Sequence, residues 1–137
     1  MRVELSQVID RPPAEVFRFI VTDHVRNHPR WDPNMHLEQV APGPIGVGTV
    51  IRRRYMMGDR QVEGEMEVVE YEPDRAFGVV IRDGPAEFRS RITFEPAGEG
   101  STRQALTLES DAPVKRMDPG PIQRSLDRMK ELIESDA

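Results

Sequence analysis

Alternation of apolar and charged residues between short turns runs through residues 49–110, and it restricts this part of the chain to antiparallel strands. The strand-like segments are 49–57, 60–71, 75–82, 86–95 and 101–110. Gly58-Asp59 and Asp83-Gly84 are two-residue hairpin signals, and Pro73-Asp74 is typical of a type I turn. Because successive side chains point to opposite faces of a strand, the turns determine which residues share a face.

The register that these turns impose separates the side chains by polarity. The expected cross-strand pairs are Tyr55–Val62, Arg53–Gly64, Ile51–Met66, Met66–Ile81, Val68–Val79, Ile81–Ala86, Val79–Phe88 and Phe77–Ser90. These pairs form one largely apolar face. The opposite face carries Arg52, Arg54, Glu63, Glu65, Glu67, Glu87, Arg89 and Arg91. Such a division is typical of an antiparallel meander that has one side in water.

The segments before the meander read as one strand, two short helices and a further strand. Residues 2–10 alternate as a strand, and a helical spacing follows at Val16, Phe17 and Ile20. A second short helix is expected to run from about residue 22 to His28, where Pro29 ends it. Residues 35–41 are expected to form a short strand.

The segment after the meander is expected to be a helix that covers the apolar sheet face. Asp118 can cap this helix, and it carries an apolar stripe formed by Ile122, Leu126, Met129 and Ile133. An apolar sheet face must be buried against another element, and the stripe is the matching surface. The order of elements therefore predicts an α+β fold in which the sheet curls around the last helix.

Length and charge limit the kind of protein. The 137 residues correspond to one domain, taken as 1–137. The formal net charge of −5 disfavours nucleic acid as a partner, and no apolar run approaches the roughly 20 residues of a membrane span. The sequence lacks cysteine and begins without an apolar signal segment. We expect a soluble, cytoplasmic protein, a monomer or homodimer, with no integral membrane association and no cofactor.

Several motifs of the sequence resemble those of the START-like (SRPBCC) superfamily. In particular, they are similar to the small bacterial proteins grouped with polyketide cyclases and dehydrases. The matching segments are residues 9–17 (IDRPPAEVF), 28–33 (HPRWDP), 43–49 (GPIGVGT) and 64–73 (GEMEVVEYEP), followed by Phe77. These motifs are turns and packing positions, so they indicate a fold and carry no catalytic signature.

The resemblance implies a helix-grip (Bet v 1-like) fold. In that fold a seven-stranded antiparallel sheet grips the C-terminal helix, with two short helices after the first strand and a cavity inside. Members of the superfamily bind lipids, sterols, polyketides, ubiquinone or plant hormones, and a minority catalyse cyclisation or dehydration. The last helix of this sequence is short for the family, at roughly four turns.

Arg53 is the most distinctive candidate for ligand binding. It falls on the apolar face opposite Gly64, where a guanidinium could hold a carboxylate or phenolate of a ligand with two hydrogen bonds. The alternative is that Arg53 extends to solvent at the edge of the sheet. The remaining candidates for the walls of a ligand site are Trp31, Met35, Tyr55, Met66, Phe77, Val79, Phe88, Ser90 and Met129. Ordinary core packing, or a plug at the end of the sheet in the case of Trp31, is the competing interpretation.

His24 and His28 are spaced i, i+4, as two metal ligands on one helix face would be. The helix is short and Pro29 follows directly. We therefore expect a solvent-facing helix and no metal site.

Three functions are compatible with these observations. The first is binding of a small hydrophobic molecule, of lipid, polyketide or aromatic type, between the sheet and the last helix. The second is a polyketide cyclase or dehydratase, in which Tyr55 and Arg53 would polarise a carbonyl group. The third is a protein-interaction module that uses the Met56-Met57 hairpin and an exposed Val80 as contacts.

Overall fold

The computed structural model describes residues 2–110 and 119–135. Within these residues the chain forms seven strands and three α-helices, and a π-helical turn, Arg18–Thr22, continues the first helix. The strands are β1 Arg2–Ile9, β2 His36–Gln39, β3 Val50–Met57, β4 Arg60–Glu72, β5 Ala76–Asp83, β6 Ala86–Pro96 and β7 Thr102–Ser110. The helices are α1 Pro13–Phe17, α2 His24–Trp31 and α3 Pro119–Ser135. The expected cap, Asp118, lies outside the described residues.

The strands form one antiparallel sheet in the order β1-β7-β6-β5-β4-β3-β2. Helix α3 lies against the inner face of this sheet and is fixed to β1 by side-chain hydrogen bonds. Gln7 Nε2 donates to the Leu126 carbonyl and to Gln104 Oε1, both at 2.8 Å. Lys130 Nζ donates to the Val8 carbonyl at 2.7 Å. This architecture confirms the α+β helix-grip fold.

The core lies between the inner face of the sheet, α3 and the two short helices. Leu126, Met129 and Ile133 of the predicted apolar stripe are buried there, whereas Ile122 is half-buried. The opposite face of the sheet carries the charged residues, as predicted, and most of them are exposed. No helix in the described part of the chain combines the length and the apolar character that a membrane span requires.

The predicted register between β3 and β4, and between β4 and the second half of β5, is confirmed. Arg53 pairs with Gly64 and Val68 pairs with Val79. The turn after β4 is one residue longer than expected, and Asp74 has a φ of +63°, which a type I turn does not allow. A β-bulge between Val68 and Glu70 adds one residue to β4, so the two changes cancel and the register is retained.

The predicted register between β5 and β6 is wrong by two residues. Val79 pairs with Ser90, and Asp83 pairs with Ala86, so the turn is Gly84-Pro85 instead of Asp83-Gly84. Proline has no N–H to donate to the strand ladder, and Gly84 adopts a φ of +60° at the first central position. The remaining two expected pairs are corrected to Ile81–Phe88 and Phe77–Ile92. An offset of two keeps every side chain on its predicted face, but it places Asp83 in the strand, on the inner face.

Helix α2 ends later in the chain than predicted. It continues through Pro29 to Trp31, which is buried with 5% of its surface exposed. The ring of His28 stacks on the indole of Trp31 with 5.0 Å between the ring centroids. Packing of these two rings accompanies a last turn that the proline alone would disfavour.

Candidate functional site

A buried ion pair lies on the inner face of the sheet, across three adjacent strands. Arg53 Nε of β3 is 3.2 Å from Asp83 Oδ1 of β5, and the two side chains are 12% and 5% exposed. Gly64 of β4 lies between them, and a Cβ at this position would overlap Asp83 Oδ1 and the Arg82 carbonyl. The missing side chain of Gly64 is therefore what allows Arg53 to reach Asp83.

The ion pair is held by charge more than by a directed hydrogen bond. Arg53 Nε and Asp83 Oδ1 are both buried, and neither has a hydrogen-bond partner among the described residues. Their separation meets the distance of an ion pair, but the N–H does not point at the oxygen. This pair of charges is consequently sensitive to the loss of either partner.

Tyr55 completes the cluster. Its hydroxyl donates to Asp83 Oδ2 at 2.8 Å, and the guanidinium carbon of Arg53 lies 5.2 Å from the centre of the phenol ring. Burial, and then the hydrogen bond to Asp83, raise the pKa of Tyr55 above its usual value. Tyr55 is therefore a protonated donor at neutral pH, and its proton is directed at Asp83.

The position of Arg53 on the inner face is confirmed, and the alternative that it extends to solvent is wrong. Asp83 was not predicted, because it was assigned to a turn. The sequence does contain a signal for Asp83. Asp83 follows Phe77, Val79 and Ile81 at intervals of two residues, so its side chain lies on the same face of the strand. Extending β5 to the proline-containing turn therefore places Asp83 on the apolar face, opposite Gly64.

A pair of histidines occupies the neighbouring part of the core. His24 is 6% exposed, and its Nδ1 lies 2.8 Å from the Ile20 carbonyl. His28 Nδ1 lies 3.0 Å from His24 Nε2. The ring of His24 packs edge-on against Trp31 and is 5.9 Å from the ring of Phe77. The expectation of a solvent-facing helix is wrong, because this face of α2 turns towards the sheet.

Both histidines are neutral near pH 7. Burial lowers the pKa of His24 to about 4, against the weaker raising effect of its hydrogen bond to Ile20. Burial lowers the pKa of His28 well below its usual value, and repulsion from the protonated form of His24 and from Arg53 adds to this effect. No group of three or more metal-ligating side chains is close enough together to hold an ion within residues 2–110 and 119–135.

The burial of His24 predicts a loss of stability in mild acid. The unfolded chain takes up a proton near pH 6.5, whereas the folded protein does so only near pH 4. Between these values the unfolded state binds more protons, so the free energy of unfolding falls as the pH is lowered. At about 1.4 kcal/mol per pH unit, the loss from this group is roughly 3 kcal/mol by pH 4. Urea unfolding at a series of pH values measures it.

Two variants separate His24 from the other titrating groups. Phenylalanine at position 24 keeps an aromatic ring beside Trp31, so His24→Phe should weaken the acid dependence. His36→Gln replaces an exposed histidine and should leave the dependence as it is. If the stability of wild type and of His24→Phe falls equally steeply with decreasing pH, the acid-induced loss of stability does not come from His24.

The other predicted ligand residues fall into three groups. Trp31, Met66, Phe77, Val79 and Met129 are members of the contiguous core. Phe88 and Ser90 are half-buried on the inner face, in the middle of the sheet. Met35 is buried in the connection from α2 to β2, outside that core cluster of described side chains.

Two open concavities lie on the outer face of the sheet. One, of about 820 Å³, extends from β2 to β5, and Arg53 and Gly64 also border it. Its remaining walls are Leu37 and a set of polar side chains, most of them charged: His36, Glu38, Arg52, Arg54, Glu63, Glu65 and Arg82. The other, of about 300 Å³, extends from β4 to β7 and reaches Arg2 of β1. Charged, solvent-exposed walls do not suit the apolar ligand expected for the inner face.

Comparison with solved structures shows the same fold at low sequence identity. Protein CV1439 from Chromobacterium violaceum is 17% identical, with a TM-score of 0.79 over 98% of each chain. Ara h 8.0201 is 14% identical, with a TM-score of 0.78 over 99% of each chain. Truncated norcoclaurine synthase from Thalictrum flavum is 14% identical, with a TM-score of 0.79 over 100% of this chain and 95% of that one.

The comparison with protein families is more specific than the structural one. No curated protein matches the chain. Residues 1–134 match the family described as polyketide cyclase / dehydrase and lipid transport. Since this match spans nearly the whole sequence and agrees with the observed fold, the chain belongs to the polyketide cyclase / dehydrase and lipid transport family.

Proposed function

We propose that the protein binds a small, mostly apolar molecule between the inner face of the sheet and α3. The observation that carries this proposal is a set of inner-face side chains that remain only half-buried although the sheet curls around the helix. They are Tyr55, Val62, Ile81, Phe88, Ser90, Leu106 and Leu108. Covering their apolar surface with a ligand would contribute about 25 cal/mol per Å².

The polar cluster beside this surface favours a neutral polar end on the ligand. The charge of Arg53 is already balanced by Asp83, so a ligand carboxylate would have to displace a buried carboxylate. A hydroxyl or carbonyl group can accept from the guanidinium without breaking the ion pair. This argument disfavours the carboxylate or phenolate expected from the sequence and favours an uncharged ligand with a hydroxyl or carbonyl group.

The same cluster makes binding a better proposal than cyclisation or dehydration. Tyr55 donates its proton to Asp83 at 2.8 Å. Polarising a substrate carbonyl with this hydroxyl would require that bond to break and would leave Asp83 with one partner fewer. The polyketide cyclase or dehydratase therefore stays the alternative hypothesis, tested by turnover of a poly-β-ketone mimic.

The test begins with native mass spectrometry of the purified protein, followed by organic extraction and identification of any released molecule. Saturable binding of N-phenylnaphthylamine, a neutral apolar fluorophore, is then measured with wild type and two variants. Phe88→Ser should weaken the binding severalfold, because Phe88 is a half-buried inner-face side chain. Val47→Ser, in a loop where Val47 is 68% exposed, is the control and should bind as wild type does.

Two results would overturn the proposal. One is a wild-type protein that releases no ligand and binds no fluorophore. The other is equal weakening by Phe88→Ser and Val47→Ser, which would place the fluorophore away from the inner face.

A further inference from the structure

The hydrogen bonds of the two buried histidines determine which ring nitrogens carry protons. A carbonyl oxygen can only accept a hydrogen bond, so His24 Nδ1, 2.8 Å from the Ile20 carbonyl, must carry a hydrogen. Because His24 is neutral, its Nε2 has none and acts as an acceptor. His28 Nδ1, 3.0 Å away, is therefore the donor to it.

This chain of bonds leaves Nε2 of His28 as an acceptor with a lone pair. His28 is neutral as well, and its single hydrogen is on Nδ1. No donor from residues 2–110 or 119–135 reaches Nε2, and the atom is not among the fully buried unpaired atoms of these residues. It is an accessible acceptor on a half-buried side chain.

The ring that carries this nitrogen is fixed in direction. His28 stacks on Trp31 with an interplanar angle of 18° and meets His24 edge-on with 4.8 Å between centroids. His24 in turn approaches Phe77 of the inner face, and the charge of Arg53 acts on both imidazoles. The ring of His28 thus lies beside Trp31 and His24, and His24 links it to Phe77 of the inner face.

We propose that Nε2 of His28 accepts a hydrogen bond from a hydroxyl group of the bound molecule, so that the site selects alcohols and phenols over ethers and hydrocarbons of similar size. The inference rests on the proposed function and specifies the ligand class for that site. A ligand without a donor would cover the nitrogen and leave it unpaired. Such a ligand should therefore bind more weakly than a hydroxylated ligand of similar size.

Two probes of similar shape, which differ by one methyl group, test this selection. Naphthol carries an O–H donor, and naphthyl methyl ether keeps the oxygen but lacks the donor. The ratio of their dissociation constants is measured by calorimetry at pH 7 for wild type and for His28→Phe, which preserves an aromatic ring against Trp31. Replacement of His28 should reduce the relative preference for naphthol about tenfold, the scale of one buried unpaired acceptor.

A measurement on the wild-type protein keeps the test independent of the variant. The nitrogen chemical shifts of the imidazole rings, read by NMR, distinguish the two neutral forms of histidine. Both His24 and His28 should carry their hydrogen on Nδ1. Addition of naphthol should shift the Nε2 signal of His28, and addition of the methyl ether should not.

The outcomes separate this inference from the proposed function. Binding of both probes with a ratio that His28→Phe leaves unchanged would overturn the role of His28 and leave apolar ligand binding intact. A hydrogen on Nε2 of His28 would have the same meaning. Failure of wild type to bind either probe would overturn both proposals together.

Discussion

Replacing Asp83 with alanine is expected to lower the free energy of unfolding by about 3–5 kcal/mol, the range for removal of one partner from a buried ion pair. Arg53 would remain on the inner face with its charge uncompensated, and Tyr55 would lose the acceptor of its hydroxyl. The size of the effect follows from the 5% exposure of Asp83, since water cannot replace the lost carboxylate. Urea unfolding followed by circular dichroism measures it.

Two further variants show whether the loss comes from the pair. Arg53→Met combined with Asp83→Leu removes both charges, and this double variant should recover most of the stability that Asp83→Ala loses. Glu63→Ala removes an exposed carboxylate next to Gly64 and should change the stability by no more than about 0.5 kcal/mol. A double variant as unstable as Asp83→Ala would show that the loss is one of packing, not of charge.

Gly64→Ala is expected to cost a similar amount, about 3–5 kcal/mol, although it adds only a methyl group. The new Cβ would overlap Asp83 Oδ1, so the carboxylate would have to leave Arg53. It would also overlap the Arg82 carbonyl, which is part of the backbone of β5 and cannot move without disturbing the ladder. The measurement is again chemical unfolding at neutral pH.

The control for this substitution is another glycine. Gly46 has open space around its Cα and no left-handed backbone conformation, so Gly46→Ala should leave the stability nearly unchanged. If Gly64→Ala acts by displacing Asp83, its effect should be smaller in an Asp83→Ala background than in wild type. If the stability losses of the two substitutions are fully additive, Gly64→Ala does not act by displacing Asp83.

The strand pattern could be predicted because it follows from local sequence. Alternation and a glycine at the first central position of the Gly58-Asp59 turn were enough to pair Arg53 with Gly64. The β5–β6 turn was misplaced because Asp-Gly is a stronger hairpin signal than Gly-Pro in isolation. Only the inability of Pro85 to join the ladder distinguishes the two, and the error concealed Asp83.

The histidine pair could not be predicted from the sequence, for a different physical reason. Helix α2 is eight residues long and contains Pro29, so its periodicity does not show which face is buried. Burial of His24 depends on Phe77, which belongs to a distant strand, and on Trp31, two turns further along the same helix. The ligand roles of the predicted wall residues stay predictions, because packing and binding use the same side chains.

The order of the strands has a consequence for folding during synthesis. β1 is made first, yet its neighbour in the sheet is β7, and the partner of Gln7 on α3 is residue 126. The ribosome must therefore release about a hundred residues before β1 can pair with β7. Until then the apolar face of β1 remains exposed to solvent. A chain that stalls within β6 would leave β1 unpaired and would expose the sheet edge that β7 covers in the complete protein, and such edges favour aggregation.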